Sequence, residues 1–346
     1  MSTQESSGAD DVNQEASAGQ AQAPGPWDVV GVGNAIVDVL ATSGDDFIVD
    51  QGMEKGSMSL IDEPRALELY SMLGDSVQAS GGSAANTMAG VASFGGAAAY
   101  VGKVNDDELG KSFAEEMASI GVWFDQTPSS GGPSTAMCLV LVTPDAQRTL
   151  NTYLGVSSLL EPDDVRPEIV QQAPLLFCEG YLWDVDSAKA AIRKAMDLAI
   201  DAGSKVALTV SDTFCIERHH QEFLDLIAGP VDILFANRAE LTRLYETDLE
   251  AAVSIVAEQV ELACITLGAD GSLLLAGGEI IEIDAEPVAK VVDTTGAGDQ
   301  YAAGVLYGLA RGLPLEKVGR LGSLAAAEVI SHFGPRPERP LSDFLR

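Results

Sequence analysis

Short β-rich runs alternate with longer amphipathic stretches through most of this 346-residue chain. The β-rich runs are 98–101, 175–179, 206–210, 233–236 and 263–267, and the amphipathic stretches that follow four of them are 108–120, 187–202, 220–226 and 240–246. Such alternation is typical of βαβ units, whose right-handed crossovers place helices on both faces of a mostly parallel sheet. We therefore expect a doubly wound α/β fold that binds ligands at the carboxyl ends of its strands.

Other segments refine this prediction. Residues 28–34 form a short apolar run that ends at small residues, as a buried first strand does, and residues 272–283 resemble a hairpin. Residues 38–60 and 135–153 break the alternation and indicate short strands joined by turns. We expect these last two segments to form a small β sheet that projects from the main sheet as a lid.

The first 26 residues have a different composition, dominated by Ser, Gln, Ala, Gly and acidic residues. This composition predicts a disordered acidic tail. The tail lacks the basic start and apolar run of a secretory signal, and no later stretch reaches about 18 uninterrupted apolar residues. We therefore expect a cytoplasmic protein that has no membrane partner.

The chain is strongly acidic: 52 Asp and Glu against 20 Lys and Arg give a formal net charge of −32. A surface of this charge repels DNA, RNA and anionic membranes, so a nucleic-acid partner is not expected. A solvated surface adapted to high salt explains the charge, and attraction of a cationic partner is the alternative. Four scattered cysteines without a CxxC pair, and only three histidines, argue against a zinc site and for free thiols.

The segment Asp293-Thr-Thr-Gly-Ala-Gly-Asp299 precedes a run of small and apolar residues at 300–310. Its glycines permit a tight turn into a helix, whose first N–H groups attract phosphate. We expect Gly296, Ala297 and Gly298 to form an anion pocket beside Asp299, whose carboxylate accepts the proton of an attacking hydroxyl. The alternative is that Asp299 only caps the helix and the glycines only make a turn.

A second glycine-rich segment, Gly81-Gly82-Ser83-Ala84-Ala85-Asn86, lies about two hundred residues earlier. Paired glycines let backbone approach a ligand, and the Asn86 side chain offers both a donor and an acceptor to sugar hydroxyls. Close helix packing through small residues is the alternative. No GxxxxGK[ST] sequence is present, which excludes a P-loop enzyme.

The two segments resemble the paired signatures of the ribokinase-like, or PfkB, family of carbohydrate and nucleoside kinases, in the family's order and spacing. The resemblance extends over 27–346 and implies one ribokinase-like kinase domain, with ATP and Mg²⁺ as cofactors. It implies that Asn34, Asp38, Gly81, Gly82, Ser83 and Asn86 bind the substrate and that Asn237, Thr266, Gly268, Gly271 and Thr295 bind the nucleotide. It also implies that Glu240 acts on Mg²⁺ through water and that a monovalent cation such as K⁺ binds near the Asp293 loop.

Arg148 resembles an arginine that reaches the phosphates in adenosine kinases, and an exposed surface residue is its alternative role. The segments 33–38 and 135–153 are closer to nucleoside kinases of the adenosine type than to ribokinases. We therefore expect phosphorylation of the 5′-hydroxyl of a nucleoside, adenosine first. The apolar residues available to contact the base are Met137, Leu139, Phe177, Tyr181 and Trp183, although core packing is the favoured role of any one of them. Fructose, ribose, guanosine and inosine stay open as substrates, as do a ligand-binding relative without turnover and a monomeric or homodimeric state.

Overall fold

The computed structural model describes residues 25–124, 128–145 and 147–346. The predicted disordered tail lies, up to residue 24, outside the described residues. The fourteen strands within these ranges are β1 (Val29–Val32), β2 (Ile36–Thr42), β3 (Met58–Leu60), β4 (Ser76–Gly81), β5 (Ala98–Val101), β6 (Val122–Phe124), β7 (Ala136–Val142), β8 (Arg148–Tyr153), β9 (Leu175–Glu179), β10 (Lys205–Thr209), β11 (Ile233–Asn237), β12 (Leu262–Thr266), β13 (Ser272–Ala276) and β14 (Glu279–Ile283).

Eleven α-helices lie in the same ranges. They are α1 (Asp45–Asp50), α2 (Glu63–Met72), α3 (Ser83–Ser93), α4 (Glu108–Ser119), α5 (Pro167–Val170), α6 (Asp186–Asp201), α7 (Thr213–Ile227), α8 (Arg238–Tyr245), α9 (Leu249–Val256), α10 (Ala297–Ala310) and α11 (Leu315–Val329). Helix α7 starts earlier than the predicted stretch 220–226, because Asp212 caps it: the carboxylate accepts the N–H of Cys215 at 2.6 Å.

Nine strands form the main sheet in the order β14-β13-β12-β11-β10-β9-β1-β5-β6. The strands from β12 to β6 pair in parallel, while β13 and β14 add an antiparallel hairpin at one end. From β1 the chain builds the sheet first toward β6 and later, from β9, in the opposite direction. This reversal opens a crevice at the carboxyl ends of β1 and β9, the usual ligand site of such sheets.

Helices cover both faces of the main sheet, as the alternating pattern predicted. On one face α6, α7, α8 and α9 contribute buried apolar side chains to a core with the strands. On the other face α3, α4, α10 and α11 do so. Continuous apolar runs such as Val29–Val32 are therefore fully buried. The fold is the expected doubly wound α/β architecture.

A second sheet has the order β3-β8-β7-β2-β4. It contains strands from both segments predicted to form a lid, 38–60 and 135–153, but it also contains β4, which the sequence analysis missed. Strand β4 was missed because its first residues are exposed and its sequence, Ser-Val-Gln-Ala-Ser-Gly, has one β-branched residue. The prediction of only strands and turns in 38–60 is wrong, since α1 lies there and buries Ile48. The function of this sheet as a lid stays a prediction.

All four cysteines are buried free thiols, as the spacing suggested. Burial raises the pKa of the Cys138 thiol to about 12. Within the described residues no helix is both long enough and apolar enough to cross a bilayer.

Candidate active site

The two glycine-rich segments meet at Asp299. Asp299 lies in the first turn of α10 and is half-buried. Its Oδ1 accepts a hydrogen bond of 2.6 Å from the Ser83 hydroxyl, and its Oδ2 accepts one of 3.2 Å from the Asn86 side-chain amide. Both donors belong to α3. The site therefore joins the start of α3 to the start of α10 across the face of the main sheet.

The Asp299 carboxyl has a raised pKa. Burial raises its pKa to about 6, while the hydrogen bonds from Ser83 and Asn86 and the charge of Arg336 act in the opposite direction. A carboxylate with this pKa is ionised at neutral pH yet basic enough to accept a proton from a hydroxyl. The role as helix cap alone does not account for this environment.

The α10 N-terminus has a backbone that only glycine fits. Gly296 has φ of 76°, and a Cβ there would lie 2.6 Å from the Cα and the carbonyl oxygen of Pro335. Gly298 is different: it is exposed and a Cβ would meet nothing within 4 Å. The N–H groups of this first turn have no intrahelical acceptors, so the open face over Gly298 suits an anion.

Asn34 and Asp38 lie on the other side of the glycine-rich start of α3. Gly82 precedes α3 with φ of 98°, and a side chain at Gly81 would collide with the Asp38 carboxylate. Burial raises the pKa of Asp38 to about 7, against the opposing charges of Arg336 and Arg148, and Asp299 adds to the rise. Asp38 of β2 thus lies near the predicted base, while Asn34, between β1 and β2, lies against Gly82.

Glu179 is a buried acid that sequence reasoning missed. It ends β9 and is 1% exposed. Its Oε1 accepts the backbone and side-chain N–H groups of Asn34 at 2.8 and 2.9 Å, and its Oε2 accepts the N–H of Ala84 at 2.8 Å. Burial raises its pKa to about 7. An acid at the end of an otherwise apolar, fully buried strand was the signal available in the sequence.

Arg336 is the second residue that sequence reasoning missed. It lies between Pro335 and Pro337 near the end of the chain and donates to Asn86, Ser80 and Glu116. Burial lowers its pKa, but a guanidinium stays protonated at neutral pH. Its place in the site could not be read from the sequence, because nothing local indicates that the last 15 residues return to α3.

Arg148 joins the second sheet to the Asp293 loop. Its guanidinium lies 2.5 Å from the Asp293 carboxylate and 3.2 Å from the Thr295 hydroxyl. Asp293 also accepts hydrogen bonds from Thr295 and from the N–H of Gly334. Arg148 is therefore beside the loop that leads to Gly296, and is not the free surface side chain that was its alternative role. Contact with phosphate stays a prediction.

Four of the five residues predicted to bind nucleotide lie at or just after the carboxyl ends of β11 and β12, whereas Thr295 lies in the Asp293 loop. Asn237 and Thr266 are opposite each other in the parallel register, and with Gly268 they line an open cavity of about 590 Å³. Gly271 has φ of 89° and a Cβ there would collide with the Ile283 carbonyl, so its described role is to allow the turn.

Glu240 forms a capping box with Asn237 at the start of α8. Its Oε2 accepts the backbone N–H of Asn237 at 2.9 Å, and its Oε1 accepts the Asn237 side-chain amide. Burial raises its pKa to about 7. Among the described residues no three His, Cys, Asp or Glu side chains are clustered to hold a metal.

The residues predicted to contact a nucleoside base are mostly core residues. Phe177 and Trp183 are at most 1% exposed and pack in the two main cores, and Met137 and Leu139 are at most 2% exposed. These four side chains pack in the cores, which is the role that the sequence favoured for each of them taken singly, because burial of apolar side chains is favourable. Tyr181 alone of the five is half-buried.

Known proteins resemble this chain in sequence and in fold. The family model for pfkB carbohydrate kinases matches residues 68–341. An uncharacterized sugar kinase of Archaeoglobus fulgidus is 30% identical over 261 residues, which are 73% of this chain and 99% of that protein. The crystal structure of adenosine kinase from Sinorhizobium meliloti is 47% identical, with a TM-score of 0.86 over 93% of this chain and 99% of that one.

A probable sugar kinase from Rhizobium etli is 45% identical, with a TM-score of 0.86 over 92% of this chain and 97% of that one. The family match covers well over half of the chain, and the signatures at 81–86 and 293–299 lie within it. The chain therefore belongs to the pfkB family of carbohydrate kinases and is an ATP-dependent kinase that acts on a sugar or a nucleoside.

Proposed function

We propose that this kinase transfers the γ-phosphoryl group of ATP to the 5′-hydroxyl of adenosine. The observation that carries the proposal is the 47% identity, over 93% of the chain, with a solved structure named as an adenosine kinase. Two proteins that are 47% identical share their substrate-binding residues more often than two that are 30% identical, which is the identity with the Archaeoglobus sugar kinase.

Asp299 is the proposed base. Its carboxylate takes the proton of the acceptor hydroxyl as the hydroxyl oxygen bonds to the γ-phosphorus, and the bond from that phosphorus to the β–γ bridging oxygen breaks to release ADP. The N–H groups at the start of α10 face the developing negative charge, with the open position at Gly298 giving the phosphoryl group room. Arg148 supplies a cation beside the same loop.

The acceptor hydroxyls are proposed to bind at Asn34, Asp38, Gly81, Gly82, Ser83 and Asn86. The Asn34 side chain is held on both sides, since its amide nitrogen donates to Glu179 and its oxygen accepts from the Ser157 hydroxyl at 3.0 Å. Within the described residues no hydrogen bond fixes the Asp38 carboxylate in this way, and a carboxylate suits a pair of ribose hydroxyls.

ATP is proposed to bind across Asn237, Thr266, Gly268 and Thr295, with Gly271 shaping the turn beneath it. Magnesium, when bound with the phosphates, neutralises part of their charge. Glu240 uses both carboxylate oxygens within its capping box, so it is proposed to act on the ion through water rather than directly. A K⁺ ion at the Asp293 loop stays a prediction.

A sugar kinase of the same family is the second candidate. The probable sugar kinase from Rhizobium etli is 45% identical, almost as similar as the adenosine kinase structure. Fructose and ribose present hydroxyls to the same polar residues as a nucleoside does. A relative without turnover is disfavoured, since Asp299, its two donors and the open anion pocket are all assembled.

A coupled assay that detects ADP tests the proposal. The acceptor panel contains adenosine, guanosine, inosine, ribose and fructose, each measured at low and at high salt because the chain is so acidic. We expect adenosine to give the largest kcat/KM, with AMP as the product. A larger kcat/KM for a sugar contradicts the adenosine assignment, and ATP binding without ADP from any acceptor contradicts turnover itself.

A further inference from the structure

We propose that Arg336 is a positioning residue for the catalytic carboxylate: its guanidinium fixes the amide orientation of Asn86, so that the amide nitrogen of Asn86 faces Asp299, and it places a fixed positive charge behind that carboxylate. The inference rests on the proposed role of Asp299 as the base. It does not depend on which acceptor the kinase uses.

The orientation of the Asn86 amide follows from donor chemistry. Arg336 Nε lies 3.2 Å from Asn86 Oδ1, and Asn86 Nδ2 lies 3.2 Å from Asp299 Oδ2. Arginine has donors only and a carboxylate has acceptors only, so the amide fits between them in one orientation. A side chain without a donor at position 336 leaves that orientation without its anchor.

The guanidinium is committed to the protein and not to a ligand. Nη1 donates to the Ser80 hydroxyl at 2.5 Å and to Glu116 at 3.2 Å, while Nη2 lies 3.6 Å from the Met117 sulfur. The other Glu116 oxygen accepts the Ser80 N–H. Arg336 thus links α4, the end of β4 and α3, which is why it acts through Asn86 rather than on the substrate.

The segment 333–339, which we name the C-terminal strap, is itself held in place. The Gly334 N–H donates to Asp293, and the Gln300 side-chain amide donates both to the Pro335 carbonyl at 3.0 Å and to the Asn86 carbonyl at 2.9 Å. Pro335 packs against Gly296. The strap therefore contacts both Asp293 and Gly296, at the two ends of the loop before α10. Among the described side chains of the strap, only Arg336 donates to Asn86.

The charge of Arg336 opposes the effect of burial at two acids. It lowers the pKa of Asp299, which burial raises to about 6. It also lowers the pKa of Asp38, and its effect there is larger than that of Arg148. The other titratable or charged groups around these two carboxylates come from several elements: Arg148 on β8, Glu116 on α4, Glu179 on β9, Cys138 on β7 and Tyr181 after β9.

Three variants test the inference with the full-length enzyme: R336M, which has neither the charge nor a donor, R336K and, as the matched control, R339M. Arg339 lies three residues away and packs over Phe344, so its replacement removes the same charge without touching the site. We measure kcat/KM against pH with whichever acceptor the panel identifies. D299N is measured in parallel, because it tests the role of the base separately.

We expect R336M to shift the acid limb of kcat/KM to higher pH by roughly one unit, since a nearby opposite charge is lost. We expect its plateau to fall about tenfold or more, because Met has no donor and releases Asn86. R336K keeps the charge but has no donor at the Nε position, so the limb stays while the plateau falls, and R339M matches the wild type. A plateau loss in folded R336M without a shift of the limb overturns the inference, because a merely structural role produces that result.

A readout independent of activity is the thermal midpoint. The difference in midpoint between wild type and R336M is expected to widen as pH rises from about 5 to about 8, because Asp299 and Asp38 become charged without their cation. A constant difference overturns the inference. If R336M does not fold, R336K decides: a plateau equal to that of the wild type then overturns the positioning role.

Discussion

Ser83 donates a hydrogen bond of 2.6 Å to the Asp299 carboxylate, although 216 positions separate the two residues in the sequence. The contact brings the two glycine-rich segments to one point. Each segment starts a helix, and both helices, α3 and α10, pack on the same face of the main sheet. The site is thus the meeting of two helix N-termini, with a carboxylate between them.

Replacing Asp299 by Asn is expected to lower kcat by about a hundredfold or more while the KM of the acceptor changes little, because the proton acceptor is lost and the binding residues stay. Steady-state kinetics with ADP detection measure it. Asp201, exposed at the end of α6, is the control, and D201N should retain wild-type activity. Unchanged turnover in D299N would remove the proposed base.

The pH dependence of the wild-type enzyme follows from the raised pKa of Asp299. The base works when deprotonated, so kcat/KM is expected to rise with pH through about 6 and to level off above it. Burial raises the pKa of Asp38 to about 7. If the ionised Asp38 carboxylate binds the acceptor, the rise of kcat/KM with pH extends over a wider pH range. A limb centred near the ordinary aspartate value of 3.8 contradicts the environment described for Asp299.

Glu179→Gln is expected to lower the free energy of unfolding by about 1–3 kcal/mol, because an amide nitrogen then faces an N–H donor from Asn34 or Ala84. The KM of the acceptor should rise as Asn34 moves. Urea unfolding and kinetics measure the two effects. Glu261, an exposed acid paired with Lys205, is the control, and E261Q should change stability by less than about 1 kcal/mol. Equal effects of the two variants would count against the role given to Glu179.

Arg148→Met is expected to lower kcat/KM and to cost about 3 kcal/mol of stability, since it leaves the buried Asp293 carboxylate without its cation. The hydrogen bonds from Thr295 and Gly334 remain and limit the loss. R243M is the control, because Arg243 forms an exposed pair with Glu217, which is worth less than about 1 kcal/mol. Wild-type kinetics in R148M would show that the arginine serves only structure.

Replacement by alanine should have different effects on stability and activity at Gly296 and at Gly298. G296A is expected to unfold more easily and to lose activity, because its φ of 76° and the contact with Pro335 exclude a Cβ. G298A should keep its stability, since Ala favours helix and meets no neighbour, but raise the KM for ATP by placing a methyl group where phosphate approaches. Unfolding curves and ATP titrations separate the two outcomes, and similar behaviour of both variants would contradict the proposed pocket.

The sequence by itself determined the doubly wound sheet and the two glycine-rich segments of the candidate site. Alternating apolar runs fix strands and helices through local burial patterns, and the resemblance of 81–86 and 293–299 to the family's signatures pointed to Asp299 and Asn86. Those features are local, so they can be read from neighbouring residues.

Only the tertiary structure decided which side chains surround that carboxylate. Glu179 reaches Asn34 and Ala84 from the end of β9, and Arg336 reaches Asn86 from the C-terminal strap, across 250 positions. The same packing buried Phe177 and Trp183 in the cores, and so decided between core packing, which the sequence favoured for each, and contact with a base. Such contacts depend on how the sheet and the strap bring distant segments together, and hydrophobic burial sets that arrangement over the whole chain.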